Sequence, residues 1–145
     1  MDSHEATKQQ NGAPTDLEEL ARIAVDCGFH LHTAIGPELL ESVYELLMEQ
    51  ALKERGLVVA RQVPVPIQYN SVVIENAFRA DLIVENRLII ELKSSENHSP
   101  VHGKQLLTYL RLMELPLGLL INFGMYAYTD GVKRIANNYY RPLQP

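Results

Sequence analysis

The sequence is short of several things, and each shortage narrows what the chain can be. It has a single cysteine in 145 residues, Cys27. That excludes an intrachain disulfide, fits a reducing compartment, and leaves a small core side chain as the ordinary role of the thiol. It has no surplus of positive charge: 13 Lys and Arg against 18 Asp and Glu give a net charge of −5. No general attraction to a polyanion follows from that balance, so a nucleic-acid partner would need a local basic patch or a metal ion. An apolar run of about 18 residues, the length a membrane span needs, is absent. The start, MDSHEATKQQ, lacks both the basic opening and the apolar core of a signal peptide. No internal repeat is visible. The expectation is a soluble, cytoplasmic protein with no membrane partner.

What is there suits one globular unit, since 145 residues with 46% hydrophobic content can bury a real core. Residues 1–15 are polar and aperiodic and read as a disordered lead, residues 16–140 as a single domain, and 141–145 as a tail. From Asp16, the apolar positions Leu17, Leu20, Ile23, Ala24 and Cys27 recur at spacings of three and four, predicting an amphipathic helix to about His32. Pro37 suits the first position of a second helix that Gly56 ends. Three strand-like runs follow, LVVARQVPVPIQY, VVIENAFRADLIVE and RLIIELK, separated by Asn70-Ser71 and by Glu85-Asn86-Arg87. Pro64 and Pro66, alternating on the first run, argue that it lies at a sheet edge or is irregular. Ser99 and Pro100 open a third helix with Leu106, Leu110 and Met113 on one stripe. LGLLINF, 117–123, is a short buried strand, and a further strand or turn follows, with a helical turn near Val132. The order is helix, helix, three strands, helix, strand, strand, an α+β (α/β) architecture with helices packed on a sheet.

Within these strands, Glu91 and Lys93 sit two residues apart where an apolar run should continue. Side chains alternate faces along a strand, and opposed residues share a face. A three-residue loop at 85–87 pairs Val84 with Leu88, Leu82 with Ile90 and Ala80 with Leu92 on an apolar face. Ile83 then pairs with Ile89, Asp81 with Glu91 and Arg79 with Lys93 on the other. A two-residue loop would set Asp81 opposite Leu92 and mix charge into both faces. The hydrophobic pattern therefore selects the three-residue loop, with Asn86 suited to a left-handed conformation. Asp81 and Glu91 side by side would repel unless something positive intervenes, and an all-oxygen site of this kind suits Mg²⁺ or Mn²⁺. Lys93 on the same face would hold or deprotonate the attacking water, an arrangement for phosphodiester hydrolysis. The same four charges, two of each sign, also fit a solvated ion-pair patch on an outer sheet face.

Nearby helices hold further candidates. At 100° per residue the second helix would bury Leu40, Val43, Tyr44, Leu47 and Ala51, with Glu41 at the edge of that stripe and Glu38, Glu45 and Glu49 toward solvent. Glu41 is thus the expected helical carboxylate, although a surface acid favoured by the helix dipole has the same signature. Gln105 and Tyr109, one turn apart, flank the third helix's stripe as core-edge hydrogen bonders or phosphate contacts. His98 and His102 have a metal-pair spacing, but Pro100 puts His98 outside the helix, which argues against zinc there. Tyr139 and Tyr140 are either interface or packing residues.

Asp81, E-L-K at 91–93 and Q-L-L-T-Y-L-R at 105–111 resemble the active-site series of the PD-(D/E)XK nucleases. HTAIGPELLESVYE, RQVPVPIQY, FRADLIVENRLIIELKS, QLLTYLR and GLLINFG together resemble the GxxExxY family, a group of small proteins assigned to that superfamily, over roughly 16–137. The resemblance implies a restriction-endonuclease-like core with a mixed, mainly antiparallel sheet. It implies Mg²⁺ or Mn²⁺ held by Asp81, Glu91, the Leu92 carbonyl and Glu41, with Lys93 assisting a metal-activated water and Gln105 and Tyr109 in support. The implied partner is nucleic acid, DNA first, with a homodimer or protein partner as a further expectation. Two positions depart from the pattern: Ala80 replaces the proline before the first acid, and Glu38 stands where the family name has glycine. The competing expectation is a catalytically silent module of the same fold that binds nucleic acid or protein.

Overall fold

Residues 16–142 are described in a computed structural model. The lead expected over 1–15 lies outside the described residues, as do 143–145 of the tail.

Asp16 caps the first helix, its carboxylate accepting from the Glu18 amide at 2.9 Å, and α1 runs over Leu17–Ile35. Leu17, Leu20, Ala24 and Cys27 are buried along it, on the stripe their spacing predicts. The second helix, α2, spans Glu41–Glu54 rather than starting at Pro37. The delay has a backbone cause. Glu38 has φ +82°, in the region that favours glycine, and a helix cannot propagate through it. Tyr44 fixes the incoming segment: its hydroxyl donates to the Gly36 carbonyl at 2.6 Å and accepts from the Leu39 amide at 3.3 Å. Its ring stacks on Phe123 at 4.3 Å. That anchor rotates the helix so that Tyr44, Glu45, Met48 and Leu52 face inward. Leu40 (74% exposed), Val43 and Leu47, expected in the core, are exposed instead.

Glu38→Gly is expected to stabilise the chain by about 0.5–1 kcal/mol, the left-handed strain relieved less the entropy glycine adds to the unfolded state. A urea unfolding midpoint shifted upward with unchanged slope checks it; a midpoint at or below that of the parent removes the strain argument.

Five strands follow: β1 (Val59–Tyr69), β2 (Val72–Val84), β3 (Leu88–Lys93), β4 (Leu117–Asn122) and β5 (Val132–Ala136), side by side in chain order. Helix α3 (Pro100–Met113) crosses between β3 and β4, the one parallel pair; the other neighbours are antiparallel. A 3-10 turn over Tyr128–Gly131 occupies the place of the helical turn expected near Val132, which itself begins β5. Pro64 and Pro66 lie on the edge strand β1, where missing N–H groups cost no ladder bond.

The loop between β2 and β3 is the three residues 85–87, with Val84 opposite Leu88 and both Glu85 and Asn86 at positive φ. Against α1 and α2 pack Leu82, Val84, Leu88, Ile90 and Leu92. Against α3 pack Ile83, Ile89 and Leu120, joined by Leu106, Tyr109 and Leu110. Both faces of β3 are therefore covered, as expected of a central strand beside a parallel partner. Of the four charged residues expected on a solvated outer face, Glu91 is buried, Asp81 and Lys93 are half-buried and Arg79 is exposed.

Candidate functional site

Strands β2 and β3 stop pairing at Leu82 and Ile90. One residue beyond, the two acids take over the ladder. The Asp81 amide donates to Glu91 Oε1 at 2.8 Å, and the Leu92 amide donates to Asp81 Oδ2 at 2.8 Å. Each carboxylate satisfies the backbone N–H that strand separation would have orphaned, so the opening costs no unpaired donor. In an extended strand the N–H and C=O of one residue point to the same edge, so the Leu92 carbonyl faces this opening too. Past it, β2 follows β1, with Val63 opposite Ala80 and Pro64 opposite Arg79. Ala80 accordingly packs on the α3 side rather than beside Leu92. Arg79 donates to the Gln62 carbonyl at 3.4 Å rather than facing Lys93. The hairpin register is as the hydrophobic pattern requires, but it holds only up to the acids.

Burial makes this pair unusual. Glu91 is 6% exposed, and its carboxyl is pushed up to about 8, first by burial and then by the charge of Asp81. The Asp81 carboxyl is also raised, chiefly by burial, with the Glu45 charge adding to it and the Leu92 amide opposing. Lys93 is the cation whose field lowers both. It is partly exposed at the end of β3, opposite Asn122 on β4. The chain leaving it is tied down: Asn122 Oδ1 accepts from the Ser95 and Gly124 amides, each at 3.0 Å. A side chain at Gly124 would meet the Ser95 backbone at 2.3 Å, so the close approach requires glycine.

Tyr109 is buried on α3, 5.2 Å from the Phe78 ring, and its hydroxyl is shifted up by burial and then by Glu91 and Asp81. Gln105, one turn earlier, is exposed. Glu41 is exposed at the first residue of α2, where its charge acts on His102; that imidazole is held low by burial and then by Lys93. His98 Nε2 lies 2.7 Å from the Asp130 carbonyl and is engaged there. Tyr139 is packed, donating to Glu18 at 2.8 Å, whereas Tyr140 is 85% exposed.

Sequence reasoning missed Glu45. Expected toward solvent, it is 6% exposed, accepting from Gln62 Nε2 at 2.6 Å and from Arg61 Nη1 at 3.2 Å. Gln62 Nε2 is also 3.5 Å from Asp81 Oδ1. The acid on α2 that reaches the Asp81 side is thus Glu45, one turn after Glu41. Its signal was present but outvoted: Tyr44, Met48 and Leu52 recur at four-residue spacing with Glu45 beside them, while Leu40, Val43 and Leu47 drew the predicted stripe the other way.

Among the described residues no three His, Cys, Asp or Glu side chains converge as a ready metal cage. Two carboxylates and a backbone carbonyl at one opening nevertheless fit Mg²⁺ or Mn²⁺, which takes one or two carboxylates and leaves its other positions to water and phosphate. Burial raises both carboxyls, with the Asp81 charge adding to it at Glu91 and the Glu45 charge at Asp81, and a nearby divalent ion would favour the charged forms again.

No helix among the described residues is long and apolar enough to cross a membrane. A family model described as the PD-(D/E)XK nuclease superfamily matches residues 18–135. No curated protein and no solved structure matches.

Proposed function

The chain belongs to the PD-(D/E)XK nuclease superfamily, and from that premise we propose that it is a divalent-metal-dependent nuclease working at the opening between β2 and β3. The observation that supports this most is the pair of half-buried Asp81 and buried Glu91, each holding the other's strand, with Lys93 beside them. Asp81, Glu91 and the Leu92 carbonyl would hold Mg²⁺ or Mn²⁺, and Glu45 rather than Glu41 would complete the set. Bound there, a divalent ion supplies Lewis acidity toward a phosphate oxygen and makes water a better nucleophile.

The chain's own residues do the rest. The two strand-borne carboxylates are locked by backbone N–H groups, which fixes where the scissile phosphate is presented. The Lys93 ammonium donates to the incoming water or to a phosphate oxygen, stabilising charge that builds in the transition state. The buried Tyr109 hydroxyl stays protonated and serves as a donor near the same carboxylates, and the exposed Gln105 reaches the substrate from the rim. DNA is the substrate we favour. Within the superfamily we place the chain in the GxxExxY group, whose glycine position is the one that here shows positive φ at Glu38. The net charge of −5 favours a second reading, a silent module of the same fold that binds nucleic acid or protein.

Calorimetry separates the two. Mn²⁺ is expected to bind the parent chain at one site and to lose most of its affinity in Asp81→Asn, with cleavage of single- or double-stranded DNA only when the metal is added. Absence of Mn²⁺ binding, or binding unchanged in Asp81→Asn, overturns the proposed centre. Binding without cleavage of either DNA leaves the silent module as the function.

A further inference from the structure

Gln62 combines a strained backbone with contact to the candidate site. It lies within β1 at φ +54°, flanked by regular pairs on both sides, Arg61 with Leu82 and Val63 with Ala80. A non-glycine residue in the left-handed region persists only where its surroundings impose it. The ladder does not need it, because pairing continues through both neighbours. What the conformation achieves is at the side chain. A single amide nitrogen lies 2.6 Å from Glu45 Oε1 on α2 and 3.5 Å from Asp81 Oδ1 on β2. A primary amide has two N–H donors, one for each carboxylate. Arg61 competes for the same helical acid: its guanidinium is 3.2 Å from Glu45 and 3.6 Å from Glu49, and it is itself partly exposed. Without Gln62, Glu45 would keep only that partner, which draws it along α2 away from Asp81.

We propose that Gln62 is a positioning residue that holds the Glu45 carboxylate against Asp81 and thereby sets the affinity of the site for a divalent cation. The inference rests on the metal-dependent reading given above. Removing hydrogen-bond partners of this kind typically weakens metal binding by roughly 10–100-fold.

The test uses the full chain, with Mn²⁺ titrated calorimetrically into the parent, Gln62→Gly and Gln62→Asn, and the thermal midpoint of each metal-free protein measured alongside. Glycine relieves the backbone strain and deletes the amide. Asparagine tolerates the left-handed conformation and keeps an amide too short to reach Glu45. The expected result is an Mn²⁺ Kd roughly 10–100-fold weaker in both variants, with the Gln62→Gly midpoint equal to or above that of the parent. A Kd unchanged in both variants while the parent binds overturns this inference and leaves the metal centre standing. Weaker binding accompanied by a lower Gln62→Gly midpoint assigns the residue to the fold and overturns it as well. If the parent binds no Mn²⁺, the metal reading falls and takes the inference with it.

Discussion

Glu91→Gln is expected to stabilise the metal-free chain at pH 8 by several kcal/mol and to abolish metal-dependent cleavage. The sign follows from where the proton sits. The ordinary carboxyl value is 4.5 and the folded value about 8. Below pH 4.5 the group is neutral whether the chain is folded or unfolded, and its burial costs little. Between 4.5 and 8 the unfolded chain releases the proton while the folded chain retains it. Stability therefore falls as pH rises, by up to about 1.4 kcal/mol per pH unit, until the loss is complete above the folded value. Glutamine carries no charge to desolvate, and its carbonyl oxygen can still accept from the Asp81 amide as Glu91 Oε1 does. In urea unfolding with chelator present, the parent and Glu91→Gln should be of similar stability near pH 4.5 and diverge steadily toward pH 8.5. Curves that stay parallel across that range would remove the buried, repelled carboxylate from the account. The same substitution deletes a proposed charged metal ligand, so on that reading stability gained at the site is activity lost.

The strand-borne part of this site is legible in the amino-acid sequence. Alternation is strict in a sheet, so the register of the 82–90 hairpin and the neighbourhood of Asp81 and Glu91 follow from which loop length keeps one face apolar. The edge position of β1 is legible for a similar reason, since proline removes a donor that a central strand needs. The helical part is not. From 39 to 48 the α2 segment carries apolar residues on nearly every side, and periodicity cannot choose among stripes when several are equally apolar. Contacts distant in sequence make the choice: Tyr44 stacks on Phe123 and bonds back to Gly36, which turns Glu45 inward and leaves Leu40, Val43 and Leu47 outside. Gln62 is invisible for another reason. A positive φ at a glutamine inside a strand opposes local preference, and nothing in VARQVPVPIQY marks it. Two of the places where local preference and observed backbone disagree are Glu38, which shapes the entry to α2, and Gln62, which bonds the acid that α2 delivers. Both bear on where the third carboxylate lies.

Lys93→Ala is expected to lower the single-turnover rate of DNA cleavage at saturating Mn²⁺ by roughly 10²–10³-fold, the usual effect of deleting one donor aimed at developing charge. The ammonium is partly exposed at the mouth, past the last buried residue of β3, so its removal opens no core cavity and the thermal midpoint should barely change. Its charge also lowers the carboxyls of Asp81 and Glu91. Without it, metal binding at neutral pH has to displace a more firmly held proton, and Mn²⁺ affinity should fall modestly and recover as pH rises. Alanine takes the net charge from −5 to −6, which weakens attraction to DNA. That effect appears in KM and grows at low salt, whereas the catalytic loss remains at saturating substrate. Lys93→Arg distinguishes what the ammonium does. Arginine keeps the charge but cannot give up a proton, so substantial recovery assigns Lys93 to charge stabilisation, and a rate as low as that of alanine assigns it to handling the proton of the water. Metal-dependent cutting at the parental rate in Lys93→Ala overturns either role and moves the chemistry away from this lysine.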